Sequence, residues 1–354
     1  MIPLVVAAAS DARARFVARL TDSAQPGPGE ARLLDVVDGT ALFAGAEGLF
    51  SIAGDHTLVG DIVCVDPTRG TAERLVRARS AHNSFLITEQ CDQLCVMCSQ
   101  PPKKRHVDRF EEYRRAVRLA PEGAVIGLSG GEPTLHKAAL FAFLAEARAE
   151  RPDLFFHILS NGQHFEAGDV AEIRASRANC LWGIPLYSHD APTHDAIVAK
   201  SGAYDRLLES LIHCLSGGMR IELRTVLLQT NIADLPALAR FAAQHLGFIS
   251  QWSIMQLENI GFAKNRFAEL YVDHGADFAL LAEAIDMATL AGIPSALFNM
   301  PRCSVPSAYR AYAANSISDW KRRFAPACDG CAERSICSGF FAWHPETHMR
   351  VTPL

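Results

Sequence analysis

The chain has 354 residues, a formal net charge of −5, and is 49% hydrophobic and 21% charged, which is ordinary globular composition with room for about two domains at roughly 150 residues each. Its basic residues are scattered, without the clustered positive footprint of a nucleic-acid binder, and Lys103-Lys104-Arg105 and Lys321-Arg322-Arg323 read as solvated surface. No apolar run reaches the ~18 residues of a membrane-spanning helix, and the opening MIPLVVAAAS lacks the charged segment of a signal peptide, so a soluble, cytoplasmic protein is expected.

Residues 1–80 are expected to form a small, mostly β module. It would comprise a buried first strand in MIPLVVAAAS, a helix around Ala12 to Leu20, a QPGPG linker at 25–29, and short β-like runs punctuated by glycine. Over 81–294 short apolar runs alternate with stretches of helical spacing. The runs are SFLIT (84–88), AVIGLS (124–129), LFFHIL (154–159), CLWGIPLY (180–187), IELRTVLL (221–228) and QWSIMQL (251–257). Candidate helices between them include RFEEYRRAVRLA (109–120), HKAALFAFLAEARAE (136–150), AYDRLLESLIHCL (203–215) and LPALARFAAQHL (235–246). Leu140, Leu144 and Ala147 share one helical face, the spacing of a helix laid on a sheet.

Near-continuous apolar strands alternating with helices predict an α/β fold with a parallel sheet. Six strands imply either a partial (βα)6 barrel or an open doubly wound sheet. In both, function gathers where the strands end, which directs attention to CDQLCVMC, GGEP, SNG and SHD. The segment 295–354 is irregular and cysteine-bearing. A segment so poor in periodic pattern needs a staple, and a metal site is one.

Ten cysteines are too few for a disulfide scaffold in a chain of this length, yet seven fall into two groups, which reads as metal binding in a reducing compartment. Cys64, Cys180 and Cys214 stand singly in apolar segments and are expected to be buried hydrophobes. Cys91, Cys95 and Cys98 have the spacing C-x3-C-x2-C directly after the first strand of the repeat. A 4Fe-4S cluster takes four ligands, so three local thiolates would leave one iron open. The alternative is a closed zinc site with His106 or a distant cysteine as fourth ligand, but the loop lacks the second CxxC or HxxxH that zinc knuckles pair with.

With these residues the sequence resembles the radical S-adenosylmethionine (SAM) superfamily over roughly 84–300. Ser129-Gly130-Gly131-Glu132-Pro133 matches the family's GGEP motif, which implies contacts from Gly130, Gly131, Glu132 and Pro133 to the amino group of SAM. Glycines let backbone approach a ligand, and a carboxylate can pair with an ammonium. Ser160-Asn161-Gly162 resembles the third-strand motif, and IPLYSHDAPTHDAI (184–197) the fourth-strand ribose region. Met97 stands where an aromatic residue is common, and Pro185 where a serine is expected, with Ser188 as its substitute. Arg224 would pair with the SAM carboxylate, with a structural ion pair as the alternative. Glu258 and Gly261 resemble the sixth-strand residues, and His189 and His194 lie near the expected mouth. The resemblance implies one-electron reduction of SAM and a 5′-deoxyadenosyl radical that abstracts a substrate hydrogen.

Cys328, Cys331 and Cys337 have the spacing C-x2-C-x5-C, and Cys303 could complete a set of four. This is similar to the auxiliary 4Fe-4S segments, of SPASM or twitch type, of peptide-modifying relatives; structural zinc is the alternative. AHNSFLITEQCDQLCVMCSQPP (81–102), IPLYSHD (184–190), FNMPRCSVP (298–306) and ISDWKRRFAPACDGCAERSICSGFF (317–341) resemble the His-Xaa-Ser system maturases of the HxsC type. That resemblance implies a His-Xaa-Ser repeat peptide or protein as substrate, a second radical SAM maturase as partner, and an electron donor such as flavodoxin or ferredoxin. A small-molecule enzyme and a metal-stapled binding module without turnover are the competing readings.

Overall fold

The computed structural model describes residues 2–354. Seven strands form a closed barrel near the amino terminus: Val5–Ser10 (β1), Phe16–Thr21 (β2), Glu30–Val37 (β3), Thr40–Gly45 (β4), Gly48–Ala53 (β5), Ile62–Asp66 (β6) and Thr71–Val76 (β7). Their order is β1-β5-β4-β3-β2-β6-β7, and β7 pairs with β1 to close the ring. Closure leaves no edge strand with unpaired backbone. The interior is filled by Phe16, Leu20, Phe43, Phe50, Ile52, Val63 and Val65, with Phe16 edge-on to Phe50 at 5.2 Å.

Two expectations for this module are corrected. The helix placed around Ala12 to Leu20 is the strand β2, because FVARLT is paired on both sides, antiparallel to β6 and parallel to β3. Tertiary pairing overrides the helix preference of Ala, Arg and Leu. The first strand is not buried; β1 alternates exposed and half-buried residues, as a barrel wall with one wet face must.

The second sheet contains Asn83–Thr88 (β8), Val125–Gly130 (β9), Phe155–Leu159 (β10), Cys180–Pro185 (β11), Ile221–Val226 (β12), Gln251–Met255 (β13) and Ser295–Phe298 (β14). Seven strands replace the expected six. The extra one, β14, pairs parallel with β13; its four residues are too short to show a period, so the irregular tail begins after it. The strands lie in strict chain order from β8 to β14. A doubly wound sheet reverses direction at a switch point, whereas unreversed right-handed crossovers put every helix on one face. The partial-barrel alternative is therefore the topology found.

The main helices are Phe110–Leu119 (α1), Lys137–Glu150 (α2), Val170–Ser176 (α3), Ala191–Val198 (α4), Ala203–Gly217 (α5), Leu235–His245 (α6), Phe267–Leu270 (α7) and Ala279–Leu290 (α8). After β14 the chain runs through short 3-10 segments and one two-residue pairing, Arg322–Arg323 with Phe340–Phe341. Two compact units result: Met1–Ile87 with Val107–Ser129 and His136–His157, and Thr88–His106 with Gly130–Leu135 and Ile158–Leu354. Every candidate site residue named above lies in the second. Cys64, Cys180 and Cys214 are buried as expected, and among the described residues no helix is long and apolar enough to cross a membrane.

Register divides the sheet of the second unit into two chemistries. Ile221, Leu223 and Thr225 align with neighbours such as Trp252 and Ile254 on one face, while Glu222 and Arg224 align with Gln251 and Ser253 on the other. Gly183 opposes Glu222 on that polar face. A Cβ there would stand 2.7 Å from both Arg224 Cδ and Leu159 Cδ2. Gly183→Ala should therefore cost about 1–3 kcal/mol of stability by overpacking, read as a lower urea midpoint with an unchanged m value.

Candidate functional site

The cysteine loop follows β8 and has no regular structure, so its backbone donors need partners elsewhere. Helix α4 supplies them: Leu94 N–H donates to Val198 O (3.2 Å) and Val96 N–H to Ile197 O (2.9 Å). These are last-turn carbonyls, which a helix leaves free. Cys98 N–H closes a turn onto Cys95 O at 2.9 Å, and Phe262 N–H donates to Cys98 O at 2.9 Å. Gly261, at φ +59°, packs so close that a Cβ would lie 2.2 Å from Cys98 O.

The thiols of Cys91, Cys95 and Cys98 are free and partly exposed. Burial pushes Cys91 up to about 11 and Cys95 up to about 12, and the neighbouring thiols add to both. Three mutually influencing thiols on one short loop fit a cluster held by three protein ligands. His106, the alternative fourth ligand, has its Nδ1 at 3.1 Å from Thr88 Oγ1. Met97 is buried in the apolar cluster with Ile197, Leu257, Phe267 and Tyr271.

Next to the loop, Gly131 N–H donates to Thr88 O (2.8 Å) and Glu132 N–H to Gln90 O (2.7 Å). A Cβ on Gly131 would lie 2.0 Å from Gln90 O, so only glycine lets the second-strand loop lie against the cysteine loop. Glu132 is 0% exposed. Its Oε1 accepts from Thr134 N–H, Thr134 Oγ1–H and Ser160 Oγ–H, and its Oε2 accepts from Asn161 N–H. Burial raises its pKa, and these donors oppose the rise. The carboxylate thus ties Gly130 through Pro133 to Ser160 and Asn161.

Asn161 continues the chain, since its Nδ2 donates to Asp92 Oδ1 at 2.8 Å. Asp92 also meets His164 Nε2 at 3.2 Å and Lys200 Nζ. Burial alone would raise the Asp92 pKa, but His164 and Lys200 overcome it and hold the carboxyl well below the usual range. The turn after α4 aims Lys200: Ala199 is left-handed at φ 52°, and the Asp195 carboxylate accepts from Gly202 and Tyr204 N–H. Asp92, His164 and Lys200 escaped sequence analysis. The only available signal was the position of Asp92 inside the cysteine motif.

The remaining expected residues are more dispersed. Ser188 is 0% exposed, and its Oγ accepts from Asp190 N–H at 3.0 Å. Arg224 donates to Glu222 Oε2 at 2.7 Å, and Ser253 Oγ–H donates to Glu222 Oε1. His194 stacks on Tyr187 at 5.7 Å. Tyr187, also missed, is near enough to the cysteines for Cys95 to raise its pKa, although burial is the larger cause. Glu258 meets Lys321 at 3.6 Å.

Cys303, Cys328, Cys331 and Cys337 line one open hollow. Cys337 Sγ accepts from Arg302 and Gly339 N–H, both at 3.4 Å, and Cys331 Sγ from Leu354 N–H at 3.5 Å. Backbone N–H groups aimed at sulfur stabilise thiolate charge. Among the described residues no three His, Cys, Asp or Glu side chains close tightly enough to bind a single metal ion.

Glu132→Gln would turn one acceptor oxygen into a donor facing other donors. It should cost about 1–3 kcal/mol, measured by urea denaturation of iron-free protein, and Glu132→Asp should not restore the full set of bonds.

Residues 85–242 match the radical SAM superfamily. A GTP 3′,8-cyclase of Nautilia profundicola is 28% identical over 178 residues, 46% of this chain and 54% of that protein. An Fe-coproporphyrin III synthase of Methanosarcina barkeri is 26% identical over 196 residues, 51% of this chain and 48% of that protein. SuiB of Streptococcus suis, solved bound to S-adenosylmethionine, superposes with a TM-score of 0.50 at 15% identity over 61% of this chain and 50% of its own, a likeness of fold alone. The chain thus spans about half the length of these proteins. The superfamily is one of enzymes and implies a 4Fe-4S cluster and SAM, and it is residues 85–242 of this chain that match it.

Proposed function

We propose that the protein cleaves SAM reductively at a cluster held by Cys91, Cys95 and Cys98, and modifies a ribosomally made peptide or protein, with a His-Xaa-Ser repeat protein as partner. The cluster would supply one electron to the sulfonium and so a 5′-deoxyadenosyl radical; the protein's part is to hold, orient and exclude. Glu132 fixes Gly130 and Gly131 so that their backbone can face the SAM amino group, and Arg224, neutralised by Glu222 on one side, is offered to its carboxylate.

The observation that carries the peptide reading is that four cysteines line one hollow in the segment after β14. Four thiols lining one space suit a four-iron cube, which Cys303, Cys328, Cys331 and Cys337 would saturate and so reserve from SAM; this resembles the auxiliary sites of peptide-modifying relatives. SuiB has also been solved bound to its precursor peptide SuiA. A second reading, a small-molecule substrate, is favoured by the two curated relatives, whose names are those of a GTP cyclase and a coproporphyrin synthase.

Three measurements test the proposal. Anaerobically reconstituted protein should hold about eight irons, and Cys331→Ala about four; stoichiometric zinc in place of half the iron would remove the second cluster. With dithionite and SAM the protein should release 5′-deoxyadenosine. Cys98→Ala should abolish the release and Cys331→Ala should retain some of it, whereas undiminished cleavage by Cys98→Ala would overturn the central assignment. Co-expression with a His-Xaa-Ser repeat protein should change the mass of that partner, and an unchanged mass beside turnover of a small molecule would favour the second reading.

A further inference from the structure

Asp92 stands in the chain between Cys91 and Cys95, where a carboxylate is an unexpected neighbour. Three thiolates would gather on this loop, and the end of α4 already turns the carbonyl oxygens of Ile197 and Val198 toward it. A further anion there is costly unless a cation meets it. The cation comes from the same few residues that grip the loop: Lys200, two positions beyond Val198, sets its Nζ on Asp92 Oδ2.

Both partners are held from several sides. Lys200 N–H donates to Asp195 O at 3.1 Å, and the left-handed Ala199 turns the chain just before the lysine. Asn161 Nδ2 occupies the other carboxylate oxygen at 2.8 Å, and His164 Nε2 lies 3.2 Å from Oδ2. The Lys200 and Asp92 side chains are only 22% and 24% exposed, so water and salt screen these charges less than surface ones. Arg266, which donates to Val96 O at 2.7 Å, is exposed and acts on the loop more weakly. What the pair can do follows from its charges. Together they nearly cancel beside Cys91 and Cys95; with either removed, the other stands uncompensated. The potential of an iron–sulfur cluster depends on the net charge around it, so a lone carboxylate opposes arrival of an electron and a lone ammonium favours it. A contact that only braced the loop would carry no such difference of sign.

We propose that Asp92 and Lys200 form a charge pair that sets the reduction potential of the cluster carried by Cys91, Cys95 and Cys98, with Lys200 offsetting the carboxylate so that the cluster can take up its electron. The proposal rests on the reading of these cysteines as cluster ligands given above and adds which side chains tune that cluster.

The test is a redox titration of full-length, anaerobically reconstituted protein without SAM, monitored by electron paramagnetic resonance and following the signal that Cys98→Ala removes. Lys200→Gln should lower the midpoint potential and Asp92→Asn should raise it, each moving the reduction equilibrium about tenfold, or about 59 mV for one electron. The double variant should return toward the parent value, and Lys200→Arg, which keeps the charge, should match the parent. Should Lys200→Gln fail to hold iron, the other two single variants decide: a raised midpoint for Asp92→Asn beside a parental one for Lys200→Arg upholds the pair. Unshifted midpoints, or shifts of one sign for the loss of either charge, overturn the pair and leave the cluster assignment standing. A signal that survives Cys98→Ala in full overturns both.

Discussion

The site depends on how an irregular, thiol-bearing loop is held without regular structure of its own. Its backbone donors are satisfied by the two free carbonyls at the end of α4, and one of its own carbonyls is capped by Phe262 N–H. Gly131 on one side and Gly261 on the other approach the loop so closely that no side chain would fit. Three loops, after β9, after β13 and at the end of α4, thereby fix the chain that carries Cys91, Cys95 and Cys98. Those positions are therefore set by backbone contacts rather than by regular structure.

Glu132 extends the same logic into the interior. A buried carboxylate is tolerated only when its oxygens are filled with donors, and four donors from two loops fill these. The second link, from Asn161 to Asp92 and on to Lys200, returns to the cysteine loop. The motifs following β8, β9, β10 and α4 are therefore parts of one hydrogen-bonded frame, and the GGEP carboxylate has a structural duty in addition to any contact with SAM.

Much of this was legible in the sequence because the relevant signals are local. Cysteine spacing and a glycine pair after an apolar run survive any tertiary arrangement, and apolar runs separated by helical periodicity give the βα repeat. What failed was non-local. FVARLT reads as helix until β6 and β3 pair with it, and SALF is too short to declare itself a strand. Asp92, His164 and Lys200 lie up to 108 positions apart, so nothing short of the fold brings them together. Arg224 had an ion pair as its alternative, and Glu222 two residues away supplies it.

The burial that shelters the cysteine loop also sets the conditions for filling it. With Cys91 pushed up to about 11 and Cys95 to about 12, both are protonated thiols at neutral pH. As the proposed cluster ligands, these thiols would have to lose their protons as iron arrives, so assembly there would release protons. Its equilibrium gains roughly tenfold per pH unit for every thiol proton displaced. Loading of iron onto these thiols would therefore be disfavoured in mildly acidic surroundings and favoured when iron arrives with its own base, such as sulfide.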